Sequence, residues 1–250
     1  MTGFRALHEG EAFVIPNAWD AGSAKVFEAL GFRAIATTSS GFAFTLGRVD
    51  GGAGIDEVIE HVRVLAAATS LPVSADLENG YGPPEVAIER AAEVGAAGGS
   101  IEDYDPATGL YELSEAVERV TAAVEAARRF DFVLTARAEN HIRDNPDLDD
   151  TIARLVAYEA AGADVLYAPG LRDGAEIRAV CEALSRPVNV LAHRGLTMAE
   201  IADAGGRRVS VGGGLTWVAV GAVVAAAEKI RDEGSFADLG VSLPLGDWLQ

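Results

Sequence analysis

The sequence predicts a (β/α)8 barrel, and three observations predict it. Short, apolar, β-rich runs alternate with longer amphipathic ones. Eight such short runs occur in 250 residues. The unit recurs every ~30 residues, the size of one strand–helix unit in a barrel of this length. Parallel strands need crossover helices, so the alternation implies a parallel sheet. A doubly wound open sheet is the structural alternative. No linker or composition break divides the chain, so residues 1–250 read as one domain.

The strands, in order, are AFVIPN, RAIATTS, PVSADLE, GGSIED, FVLTARAE, DVLYAPG, PVNVLA and RVSVGG. The segments between them carry helical spacing. In IDEVIEHVRVLAAAT, Ile55, Val58, Ile59, Val62 and Leu65 share one face. In SEAVERVTAAVEAARR, Val117, Val120 and Val124 do the same, with Ser114 as the expected N-cap. DDTIARLVAYEAAGAD should end at Gly162, a good C-cap.

Bulk properties narrow the function. An apolar fraction of 49% supports a sizeable core, and a formal net charge of -18 repels phosphate backbones and anionic lipid. Nucleic acid and membrane are therefore excluded as expected partners. An anionic ligand needs local positive charge, from arginine or a bound cation. Cys181 is the lone cysteine, so no internal disulfide can form, and its helical setting reads as packing. The start of the chain has no signal-peptide pattern, and LTWVAVGAVVAAAEKI is shorter than a bilayer span. A cytoplasmic location is the expectation.

Function in this barrel class sits at the C-terminal ends of the strands. Alternate residues of a strand share a face. In the third strand Val73, Ala75 and Leu77 should face the helices, leaving Ser74, Asp76 and Glu78 inward. In the fourth, Ile101 points out and Glu102 in. In the fifth, Leu134, Ala136 and Ala138 point out, and Thr135, Arg137 and Glu139 point in. Asp76, Glu78, Glu102 and Arg137 should therefore converge. Carboxylates gathered in a partly buried pocket repel unless something compensates them. Either a hard divalent cation such as magnesium does so, or the acids form a salt-bridged rim with Arg137. The second strand ends in TTSSGFAFTLGRVDGG, where a Ser-Gly turn could hold a carboxylate or simply turn the chain.

PNAWDAGSA, TTSSGFA, GRVDG, SADLENGYG, GGSIED and TARAEN, in this order and spacing, resemble the isocitrate lyase/phosphoenolpyruvate mutase superfamily, over about residues 10–235. The resemblance implies a (β/α)8 barrel that forms homodimers or homotetramers, with the eighth helix exchanged between subunits. It implies Mg2+, with Mn2+ a possible substitute, and a small 2-oxo acid or dicarboxylate whose C–C or P–C bond is cleaved through a pyruvate-type enolate. Position by position, it implies Asp76 as a direct metal ligand and Glu78 and Glu102 as ligands through water. Arg137 would hold the substrate, and the backbone of the turn at Ser40, Gly41 and Phe42 would bind its carboxylate. Asp50 matches an acid near the mobile part of the site, and Trp19 and Asp20 belong to the first-strand motif.

The chain departs from that pattern after the fourth strand. YDPATGLYELSE has no Cys, Lys or His, so the lyase chemistry based on a loop cysteine is not expected. Tyr104, Tyr111, Tyr167 and His141 are the candidates for proton transfer. Asn189 and His193 on the seventh strand could line the pocket. Two further readings stand beside this one. SVGGGLTW suits a metal-free phosphate-substrate isomerase or synthase. The missing loop residues suit a catalytically inactive barrel with a binding role.

Overall fold

Proline has no backbone N–H, and Pro16 falls inside the first strand. In the computed structural model, which describes residues 3–143, 145–240 and 242–249, this strand β1 runs Phe13–Ile15 and resumes as Asn17–Ala18. The other barrel strands are β2 (Ile35–Thr37), β3 (Val73–Asp76), β4 (Gly98–Glu102), β5 (Val133–Arg137), β6 (Val165–Tyr167), β7 (Val188–Leu191) and β8 (Arg208–Ser210). The lower half of β1 pairs with β8 and the upper half with β2, so Pro16 marks the point where β1 changes partner. Its carbonyl still accepts from Ala36 N–H at 2.9 Å. Asn17 bridges the change: its Nδ2 donates to Thr37 O at 2.7 Å, and its Oδ1 accepts from Val211 N at 2.9 Å. The remaining pairs run β2–β3–β4–β5–β6–β7–β8, all parallel, so the circuit closes as a (β/α)8 barrel.

The helices are α1 (Phe4–Leu7), α2 (Ala21–Ala29), α3 (Ser39–Thr45), α4 (Ile55–Ala68), α5 (Pro84–Glu93), α6 (Leu113–Ala127), α7 (Leu148–Ala161), α8 (Gly174–Ala183), α9 (Met198–Asp203) and α10 (Gly214–Glu233). The main core lies between strands and helices, where Leu77, Ile88, Leu134, Leu155, Leu166, Ile177 and Ile201 are fully buried. At the N-terminal mouth, α1 presses Phe4 and Leu7 against Phe13, Ile15, Val133 and Val165. On α4, Val58, Ile59, Val62 and Leu65 are buried as their spacing predicts.

Two helix ends test the sequence expectations. Gly162 caps α7 with φ 106°, a left-handed conformation that glycine adopts without strain. Ser114 is not the N-cap of α6: the cap lies two residues earlier, at Glu112, and the helix starts at Leu113. Leu113 packs on the core, which draws the first turn in before Ser114.

α10 is the exception to the packing rule. Thr216 is its one buried residue, while Trp217, Val218, Val223 and Val224 are exposed. Among the described residues no helix is long and apolar enough to cross a membrane.

Candidate active site

The parity of β3 to β5 brings the expected side chains to the C-terminal mouth. Glu102 of β4 stands in register with Arg137 of β5, and Arg137 with Tyr167 of β6. Strand β3 ends at Asp76, and the chain then turns sharply. Glu78 has φ 45° and Gly80 φ 90°. A Cβ on Gly80 would lie 2.8 Å from Pro84 Cα, so only glycine fits there. Leu77 is fully buried among the helices, while Glu78 stays beside the mouth, its Oε1 accepting from Tyr81 Oη at 2.9 Å.

Arg137 is the hub. Its Nη1 donates to Asp76 Oδ1 at 3.1 Å, its Nη2 lies 3.0 Å from Glu102 Oε2, and its Nε and Nη2 both reach Glu139 Oε1, at 3.0 and 2.7 Å. Its guanidinium carbon sits 5.1 Å from the centre of the Tyr167 ring. Arg143 adds a second positive charge, 3.2 Å from Glu139 Oε2 and 3.7 Å from Glu102 Oε1. The 3.2 Å approach is not aligned as a hydrogen bond. Asp76 Oδ2 also accepts from Ser39 N at 3.2 Å.

The electrostatics follow from this crowding. Burial, reinforced by Glu139 and Asp76 and opposed by Arg137, pushes the Glu102 carboxyl up to about 8. Burial also pushes Glu78 up to about 7, with Asp76 and Asp50 adding to it. Burial alone would lower Arg137, but Glu139, Glu102 and Asp76 override it and hold the guanidinium firmly charged.

A cavity of about 170 Å3 opens beside this network and runs down into the barrel. Asp50, Asp76, Arg137, Ser40, Tyr167 and Asn189 line it. Several expected residues fall elsewhere. Of the turn expected to act through its backbone, Ser40 lines the cavity, Gly41 packs where a Cβ would lie 2.6 Å from Thr38 Cγ2, and the Phe42 side chain turns outward to stack on His61 at 4.0 Å. Trp19 lines that same outer groove, and Asp20 is the N-cap of α2. Tyr104 lies under the Arg143 guanidinium, 3.8 Å from its ring centre, and does not line the cavity. His141 is held away from it, Nδ1 beside Thr151 Oγ1 at 3.2 Å and Nε2 3.6 Å from Glu176; its neighbour Ile142 lines the cavity instead. The Tyr111 hydroxyl accepts from Asn79, and exposed His193 sits by Arg172. Tyr167 is thus the tyrosine at the cavity.

Two further charged residues at the site were not among the expected ones. Asp103 is buried; its Oδ1 accepts from Glu139 N at 2.8 Å, and its Oδ2 accepts from Tyr158 Oη at 2.5 Å and Arg154 Nη1 at 3.0 Å. It anchors the backbone that presents Glu139 to Arg137. Arg208, inward on β8, also lines the cavity. A charged residue with inward parity in an apolar strand was the signal for it.

The cation expectation can be tested against the donor set. Among the described residues no three Asp, Glu, His or Cys side chains are grouped at metal-holding spacing. Arg137 stands between Asp76 and Glu102 and takes one oxygen of each. Four carboxylates (Asp76, Glu78, Glu102 and Glu139) nevertheless share two guanidinium groups, Arg137 and Arg143. Fully ionised, they leave two negative charges over, all on hard oxygen donors. That charge and those oxygens suit one divalent cation such as magnesium, which would favour the ionised forms of Glu78 and Glu102 against the burial that raises them.

A family model described as phosphoenolpyruvate phosphomutase matches residues 4–231. The chain belongs to this family. Membership puts it among the enzymes that cleave carbon–carbon or carbon–phosphorus bonds, within the isocitrate lyase/phosphoenolpyruvate mutase superfamily. A Burkholderia cenocepacia J2315 protein solved as a candidate lyase/mutase is 49% identical, with a TM-score of 0.94 over 98% of this chain and 92% of that one. An oxaloacetate decarboxylase of Rhodopseudomonas palustris (strain TIE-1) is 32% identical over 197 residues, 74% of this chain and 68% of that protein. A phosphonopyruvate hydrolase solved with oxalate and magnesium is 26% identical, with a TM-score of 0.87 over 98% of this chain and 93% of that one.

Proposed function

We propose that this protein is a magnesium-dependent lyase that cleaves the C3–C4 bond, one carbon removed from the keto carbon, of a small 2-oxo dicarboxylate of the oxaloacetate class. The observation that carries it is that Asp76 and Arg137 line one cavity, with Glu102 and Glu139 paired to Arg137 behind them. Asp76 would hold the ion directly, with Glu78 and Glu102 behind it; Mn2+ would suit the same oxygens. Magnesium, when bound, supplies positive charge to the keto oxygen as the bond breaks. Arg137 offers the planar fork that orients a substrate carboxylate. As the C3–C4 bond breaks, C4 leaves as carbon dioxide, the electron pair of the bond stays on the pyruvate fragment, and C3 then takes a proton. Tyr167 is the hydroxyl at hand, kept protonated because burial pushes it up to about 12. Asp50, exposed and lining the same cavity, would exchange that proton with solvent. A cytoplasmic homodimer or homotetramer, with a second copy over α10, completes the proposal.

A carbon–phosphorus bond is the second reading. Gly212 and Gly213, at the start of the long helix α10, line the cavity, and a helix N-terminus suits a phosphonate.

Thermal unfolding with magnesium, with oxalate, and with both tests the proposal. The pair should raise Tm by more than the sum of its members, and Asp76→Ala should abolish that synergy. Pyruvate release from oxaloacetate against that from phosphonopyruvate then separates the two bonds. No synergy and no turnover of either would leave a barrel without this chemistry.

A further inference from the structure

Arg208 carries a charge that no residue in contact with it balances. It is 4% exposed. Its Nε donates to Asn189 Oδ1 and its Nη2 to Thr135 Oγ1, both at 2.8 Å, and its Nη1 lies 3.4 Å from His8 Nε2. All three partners are neutral. His8 uses its Nδ1–H on the Phe4 carbonyl, so Nε2 presents a lone pair to the guanidinium. Among the described residues Arg208 takes part in no ion pair, although the chain carries 38 acidic side chains.

A buried cation without a counter-ion is costly, and an apolar side chain of similar volume would fill the barrel interior more favourably. Arg208 differs from an ordinary buried residue in that it lines the same cavity as Asp76 and Arg137. It is the first residue of β8, so its charge sits at the floor while the carboxylates crowd the mouth. The cavity is small, about 170 Å3. Arg208 lines that cavity together with Asp76 and Arg137, so a ligand inside it lies near a poorly screened charge at the floor. Asn189, whose carbonyl oxygen is taken by Arg208 and whose amide donates to Ser210 Oγ at 3.0 Å, fixes the guanidinium there.

We propose that Arg208 is a specificity-determining residue, which selects ligands by their negative charge and favours dicarboxylate dianions over monocarboxylates. The proposal rests on the reading that this cavity takes a small 2-oxo acid. The uncompensated charge is completed by the ligand rather than by the chain.

Calorimetric titration of the magnesium-loaded protein with oxalate and with pyruvate tests it. A loss of about tenfold per unit of ligand charge is expected for Arg208→Gln, so oxalate weakens ~100-fold and pyruvate ~10-fold. Arg208→Lys keeps the charge and should hold the oxalate-to-pyruvate ratio within about threefold. Equal losses for both ligands in Arg208→Gln, or none, would overturn the assignment. If that variant does not fold, Asn189→Asp neutralises Arg208 in place and should lower the ratio in the same direction; an unchanged ratio there counts against the proposal. Wild-type protein that binds neither probe with magnesium would overturn the functional reading itself, and this one with it.

Discussion

Arg137 Nη1 lies 3.1 Å from Asp76 Oδ1 across two barrel strands, and the same guanidinium holds Glu102 and Glu139. A single side chain therefore keeps three carboxylates together before any ligand arrives. Arg137→Ala should destabilise the protein by about 3–5 kcal/mol, because it strands buried acids without their partner. Urea unfolding measures this. Magnesium should restore part of the loss in Arg137→Ala, since it compensates the same charges.

Asp103 supports the site without lining its cavity. Asp103→Asn leaves Arg154 without its buried counter-ion and weakens the anchor of Glu139. A loss of about 3 kcal/mol is expected in the same assay. Oxalate affinity should fall less than in Arg137→Lys, which removes the fork itself.

Two buried histidines set a pH dependence. Burial, with Arg208 beside it, lowers His8 to about 4, and burial lowers His61 to about 4 as well. Both are neutral in the fold, while in the unfolded chain they protonate near 6.5. The unfolded state thus binds more protons between those values. Stability should fall as pH drops from 6.5 to 4, by up to about 3 kcal/mol for each ring. Chemical denaturation across that range should show the slope, and His61→Gln should reduce it.

The exposed face of α10 predicts association. Val218 and Val223 are 68% and 69% exposed on one apolar helix. Light scattering should find more than one copy per particle, and Val218→Asp with Val223→Asp should shift it towards one.

The barrel was legible because a period of two in the strands and the helical spacing between them leave few arrangements. Asp76, Glu102 and Arg137 met for the same reason: inward parity on neighbouring strands is a geometric consequence of the pleat. The loops were not legible. His141 and Tyr104 follow strand ends, where no periodicity says which way a side chain turns. The direction of the Phe42 side chain was not legible either, because it depends on His61 of a later helix. The start of α6 at Leu113 was decided by tertiary packing. Arg208 was readable by parity alone, but its contacts come from three other segments.

The turn after β4 has its own consequence. Tyr104–Asp105 pairs with Gly109–Leu110, and Tyr111 N donates back to Asp103 O at 2.8 Å, so the segment closes where it began. It behaves as a plug-in module with both terminals on one socket. Longer inserts could be grafted at that socket without re-routing any barrel strand. Reaction choice at the rim could then evolve independently of the charge that Arg208 holds at the floor.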